Sequence, residues 1–283
     1  MNTFPKQDAP RAAAKIYGAD EVRAAITQGK LFNYYQSKVN PATRQVVGVE
    51  TLVRWFHPQD GMVYPDQFIG VAEAHGLIND LTRVILTNAL IQAKVWQDAG
   101  LMLRVAVNLS ADNLATLDFV DLVIESATKV GVSPQLVDLE VTANSLKDNS
   151  RTPLEVLTRL REQQFRLSIN DFDIENASLA QLDDLPFDEI KIGPNFVHGA
   201  WNNIKLQAKF DSTTGLAKQL GKSVVAVGVE DQADWEFIRK TECNIAQGIL
   251  ISRPMPGPNL PGWIRSWHAT EETPNPSSVD DIE

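Results

Sequence analysis

Apolar and polar positions along the chain alternate between two periods. Ala19 to Gln28 has the 3.6-residue spacing of a short amphipathic helix and stops at Gly29; LFNYYQSKV (31–39) reads as an aromatic-rich strand and NPATRQ (40–45) as a turn. From Val46 the pattern predicts strand 46–54, helices near 66–75 and 79–98, strand 103–109, helix 118–130, strand 136–142 and helix 153–163. The alternation then repeats, with strand 166–171, a short helix near 177–182, strand 187–192 and a long helix 195–220. Strand 223–228, helix 231–240, strand 244–248 and a helix near 258–267 complete it, and Gly76, Gly100, Gly131 and Gly221 stand where helices should stop.

About eight strands, each after the first pair followed by a helix, over roughly 250 residues, predict an α/β fold of the TIM-type (βα)8 barrel class. No GxGxxG follows the first strand, which argues against an open doubly wound sheet. The first two strands are joined by a turn and not a helix, so one barrel strand is expected to be antiparallel. Residues 1–18, with Pro5 and Pro10, read as a flexible tether, 19–267 as one barrel domain, and the acidic 268–283 as a disordered tail.

With 283 residues, 43% hydrophobic and 22% charged, the chain is long enough for one large core. No apolar run reaches the roughly 20 residues that span a bilayer, and the N-terminus lacks a secretory apolar stretch. The expectation is a cytoplasmic protein with no membrane insertion. A net charge of −10 argues against a groove for long nucleic acid but leaves room for a small anionic ligand held by local cations or metal ions. The single cysteine, Cys243, excludes an internal disulfide framework and reads as a small buried residue.

Candidate chemistry lies at the strand ends. The run GVETLVRW places Glu50 and Arg54 in a segment otherwise fit for burial, where a charge must find a partner. Asn108, Glu140, Asp171, Lys191 and Gln247 end or interrupt other apolar runs in the same way, and a barrel would gather them at one mouth. Glu50, Glu140, Asp171 and Asn108 offer hard oxygen donors suited to Mg²⁺ or Mn²⁺. Lys191 and Arg54 would hold phosphate oxygens, which implies a phosphate ester as ligand. The alternative is a structural network in which each acid pairs with Arg54 or Lys191. His57 fits a structural or surface role, and His75, His198 and His268 show no metal-ligand spacing.

The segments ETLVRWFHPQDG, PDQFIGVAEAHGLI, VNLS, DLEVT, INDFD, LPFDEIKI, VVAVGVED and AQGILISRPMP fall in order over residues 30–267. Together they closely resemble the motifs of the EAL domain, the bacterial phosphodiesterase domain for cyclic di-GMP. The resemblance implies a barrel in which two divalent metals activate a water that linearises the dinucleotide. Glu50 matches the glutamate of the signature triplet, which reads Glu50, Thr51, Leu52; Leu52 and Arg54 match ligand-contacting positions. Asn108 and Glu140 match metal ligands, Lys191 the site lysine, and Gln247 the glutamine near the attacking water. Gln36, Arg253 and Pro254 match positions lining the dinucleotide pocket.

The chain departs from the family where the second metal belongs. Paired aspartates read Asn170 and Asp171, a catalytic glutamate reads Val227, and Ala143 and Gly193 replace further acids. The glycine-rich loop that follows the aspartates reads Asp173, Ile174, Glu175. These departures imply a degenerate, noncatalytic cyclic di-GMP receptor in which Glu50, Lys191 and Gln247 are remnants of a catalytic set. No cofactor is then required, and Glu50, Asn108, Glu140 and Asp171 form at most one weak Mg²⁺ or Mn²⁺ site. The alternatives are an active metal-dependent phosphodiesterase and a protein-interaction module without nucleotide. A protein partner is expected, and EAL domains often dimerise near the altered loop.

Overall fold

The computed structural model describes residues 15–146, 151–170 and 185–269. Helix α1 (Ala19–Thr27) leads into β1 (Leu31–Val39), β2 (Val46–His57) and β3 (Gly61–Val63). Helices α2 (Ile69–Ala74) and α3 (Ile78–Asp98) precede β4 (Arg104–Asn108), α4 (Asp118–Val130), β5 (Val137–Thr142), α5 (Arg151–Glu162) and β6 (Arg166–Asn170). There follow β7 (Glu189–Ile192), α6 (Pro194–Val197), α7 (Ile204–Gln219), β8 (Ser223–Val227), α8 (Gln232–Arg239), β9 (Ile245–Gln247), β10 (Met255–Pro256) and α9 (Leu260–Ala269).

Eight strands close into a barrel in the order β1, β2, β4, β5, β6, β7, β8, β9, and β9 pairs back with β1. β1 runs antiparallel to both β2 and β9, while the remaining neighbours are parallel. Turn 40–45 produces this reversal, with Asn40 Oδ1 accepting from the amides of Ala42 and Thr43. The apolar strands pack outward on the helices through Val105, Val107, Leu139, Val141, Ile190 and Ala226, all buried in one core. A smaller apolar cluster of Val225, Val227 and Ile245 is separate from that core.

Several predicted boundaries are corrected. β2 continues to His57 and pairs with β3, because His57 Nδ1 accepts from the amides of Gln59 and Asp60 and closes a hairpin beyond the barrel. The single long helix expected over 195–220 is two helices. Gly199 (φ 74°) breaks it, Asn203 caps the start of α7, and Asp234 accepts from Gly199 N and from His198 Nδ1, drawing the chain toward α8. Residues 15–18 are not free tether, since Tyr17 is buried and its hydroxyl donates to Asp60. His268 and Ala269, assigned to the tail, belong to α9. The predicted helix near 177–182 lies outside the described residues. No helix among the described residues is long and apolar enough to cross a membrane.

Candidate ligand site at the barrel mouth

Strand register delivers the polar side chains to one place. Gln36 pairs across from Glu50, Asn108 lies beside Glu140, and Val227 lies beside Gln247. Gln247 is fixed by two glycine contacts. Gly228 takes φ 90° beneath Pro194, Gly248 approaches Val229 too closely to admit a Cβ, and the carbonyl of Gln247 accepts from Gly228 N and Val229 N.

Glu50 is fully buried and accepts from Asn108 Nδ2 at 2.9 Å, Lys191 Nζ at 3.0 Å and Gln247 Nε2 at 2.7 Å. Glu140 accepts from Lys191 on one oxygen and from Lys38 Nζ at 2.6 Å on the other. Lys38 also lies 3.6 Å from Glu189. Asn170 Nδ2 reaches Asn108 Oδ1 and Glu140 Oε2 at 3.4 Å each, which are long contacts. Gln247 extends the network to Gln36 at 3.0 Å, and Gln36 donates to the carbonyl of Ser252 at 2.9 Å.

The buried acids and lysines inside the barrel set one another's charge. Burial acts to raise Glu140, but Lys191 and Lys38 outweigh it and hold the carboxyl at about 2. Burial acts to lower both lysines, yet Glu140, with Glu50 beside Lys191 and Glu189 beside Lys38, keeps them charged above the ordinary lysine range. Asp138 is pushed up to about 6, chiefly by burial and then by Glu189.

The structure brings Glu50, Asn108, Glu140, Lys191, Gln247 and Gln36 into one hydrogen-bonded cluster. Arg54 stands four residues beyond Glu50 on β2, its guanidinium 4.9 Å from the ring centre of Tyr64 and 5.6 Å from that of Tyr34. Leu52 is buried between them in sequence, Arg253 is exposed and Pro254 half-buried, while Asp171 and the altered loop lie outside the described residues. Sequence reading missed Lys38, Glu189 and Asp138. Lys38 has the strand parity of Gln36, which was its available signal.

Donor occupancy tests the metal pair that the resemblance implies. Both Glu50 and Glu140 already accept from the protein's own nitrogen donors, and Val227 packs in the apolar cluster of Val225 and Ile245. The described residues therefore do not fit two ions. Among the described residues, Asn170 Oδ1 and Gln247 Oε1 are buried acceptors without a partner, and with Glu50, Asn108 and Glu140 they fit at most one hard cation. Among the described residues the only three-residue His, Cys, Asp or Glu group of metal-binding spacing is His198, Asp231 and Asp234, a grouping the sequence spacing did not show. Asp231 there caps α8, and Asp234 accepts from Gly199 N, Glu230 N and His198, so these carboxylates already serve the fold.

Comparison with known proteins agrees with this architecture. The family model described as the EAL domain matches residues 19–254. The cyclic di-GMP phosphodiesterase NbdA of Pseudomonas aeruginosa is 35% identical over 265 residues, covering 93% of this chain and 34% of that protein. The signaling protein YkoW of Bacillus subtilis is 34% identical over 239 residues, covering 83% of this chain and 29% of its own length. The solved PaMucR phosphodiesterase, in complex with c-di-GMP, superposes with a TM-score of 0.81 at 34% identity over 85% of this chain and 98% of that one. The chain spans about a third of the length of these two curated relatives.

Proposed function

Because the chain belongs to the EAL domain family, we propose that it is a noncatalytic cyclic di-GMP receptor. The observation that carries this reading is the chemistry where the second ion belongs: Asn170 is a neutral amide and Val227 packs in the apolar cluster of Val225 and Ile245, while Lys38 takes one Glu140 oxygen. Arg54 and exposed Arg253 supply cationic forks for the two phosphodiester groups, and Leu52 and Pro254 supply apolar contact. Gln36 and Gln247 hold the floor beneath the ligand.

A divalent ion, when bound, would act as a Lewis acid on a water, and Glu50, Asn108 and Glu140 would hold it. In this chain neutral Asn170 and apolar Val227 supply no carboxylate for a second ion, so the mouth recognises the ligand without cleaving it. An active phosphodiesterase is the second reading, favoured by the convergence of Glu50, Asn108, Glu140, Lys191 and Gln247. A module that binds only protein is the third. Output from a receptor of this kind passes through contact with a protein partner or a second copy.

Prolonged incubation of the chain with cyclic di-GMP and Mn²⁺, followed by chromatography, separates the first two readings. Intact dinucleotide is expected. Enzyme-dependent appearance of the linear product would overturn the noncatalytic reading.

A further inference from the structure

The end of the barrel opposite the mouth holds a cavity of about 440 Å³, lined in part by Arg161, Arg166, Asp188, Lys222 and Ser223. That volume lies within the roughly 300–1,000 Å³ of ligand pockets. Three cations against one carboxylate line it, in a chain whose net charge is −10. Part of this charge serves the fold. Arg161 Nη2 lies 2.9 Å from Asp188, Arg166 donates through Nε to Asp138 at 3.0 Å, and Lys222 donates to the carbonyl of Phe187 at 2.8 Å. Each of these arginine contacts uses one nitrogen, so both guanidinium groups keep further N–H donors for an anion.

We propose that this cavity is a second anion site, taking inorganic phosphate or the phosphate group of a small phosphorylated molecule between Arg161 and Arg166. Guanidinium forks match phosphate oxygens in charge and geometry. A polar path joins the cavity to the mouth. Ser223 Oγ donates to Glu189 at 3.4 Å, Glu189 faces Lys38 at 3.6 Å, Lys38 holds Glu140, and Glu140 holds Lys191. Asp138, the partner of Arg166, stands two residues before Glu140 on β5 and shares its face of the strand. An anion that draws Arg166 from Asp138 leaves Asp138 to compete with Glu140 for Lys38, and the negative potential beneath the mouth rises. Filling the cavity therefore weakens binding of an anionic ligand at the other end, and the effect is reciprocal.

The test is calorimetric titration of the full chain with inorganic phosphate and, separately, glycerol 3-phosphate at constant ionic strength, using wild type and Arg161→Gln. Arg161 is half exposed, and its partner Asp188 still accepts from the amide of Leu167 when the guanidinium is removed, so the variant keeps the fold. Binding of either probe that weakens at least about tenfold in the variant, or about 1.4 kcal/mol, establishes the site, and the tighter probe identifies the source of the phosphate. No binding at millimolar probe, or equal binding by the variant, overturns it. Coupling rests on the receptor reading and is tested separately. Saturating phosphate should weaken cyclic di-GMP affinity at least about threefold in wild type and leave Arg161→Gln unchanged. An unchanged wild-type affinity, or an equal effect in the variant, overturns the coupling and leaves the first titration standing.

Discussion

Glu140 holds two ammonium groups at once, so its loss leaves Lys191 to Glu50 and Lys38 to the more distant Glu189. Glu140→Gln should lower stability by about 3–5 kcal/mol in urea denaturation, since it removes two buried charge-assisted hydrogen bonds worth about 1.5–3 kcal/mol each. Its held-down carboxyl also sets an acid limb. The unfolded chain takes up this proton near the ordinary glutamate value and the native state only near 2, so stability falls as pH drops from about 4.5 toward 2. Asp138 has the opposite sign: raised to about 6, it keeps its proton longer in the native state, and its contribution is lost as pH rises through about 6. Urea midpoints measured from pH 7 to pH 3 should therefore rise as pH falls from 6 toward 4, and Asp138→Asn should flatten that rise while leaving the acid limb. Arg54→Ala should abolish cyclic di-GMP binding in calorimetry, and unchanged affinity would contradict its place in the site. Asn170→Asp combined with Val227→Glu should restore Mn²⁺ binding by calorimetry and raise hydrolysis; no gain in either would mean that the lysine occupancy is limiting.

At the scale of elements, the barrel was legible because period and helix stops repeat in a fixed order, whereas the break between α6 and α7 was not. Residues 195–220 offer helical spacing, and the cause of the break, Asp234, lies over thirty residues further on. The Asn203 cap was the local signal available. Asp234→Ala should remove the acceptor for two backbone amides and lower stability by about 2–4 kcal/mol. Hydrogen exchange should then quicken at Gly199 and Glu230. The hairpin of β2 and β3 was similarly obscured, because His57 and Pro58 read as a strand exit while the imidazole in fact closes the turn.

Across the whole molecule, charge is segregated along the barrel axis. Buried acids at the mouth are matched by Lys191 and Lys38, and the opposite end gathers Arg161, Arg166 and Lys222. Sequence could point to Glu50, Asn108, Glu140, Lys191 and Gln247 because each interrupts an apolar strand. It could not show that a lysine on the one antiparallel strand reaches Glu140, because that contact spans 102 residues of chain and depends on barrel closure. This internal neutralisation predicts ligand binding that needs no ion. The most direct measurement is calorimetric titration of the chain with cyclic di-GMP in EDTA and again in Mg²⁺. Micromolar or tighter binding of equal strength in both buffers is the predicted result; binding that appears only with Mg²⁺, or none in either, would contradict a metal-independent receptor.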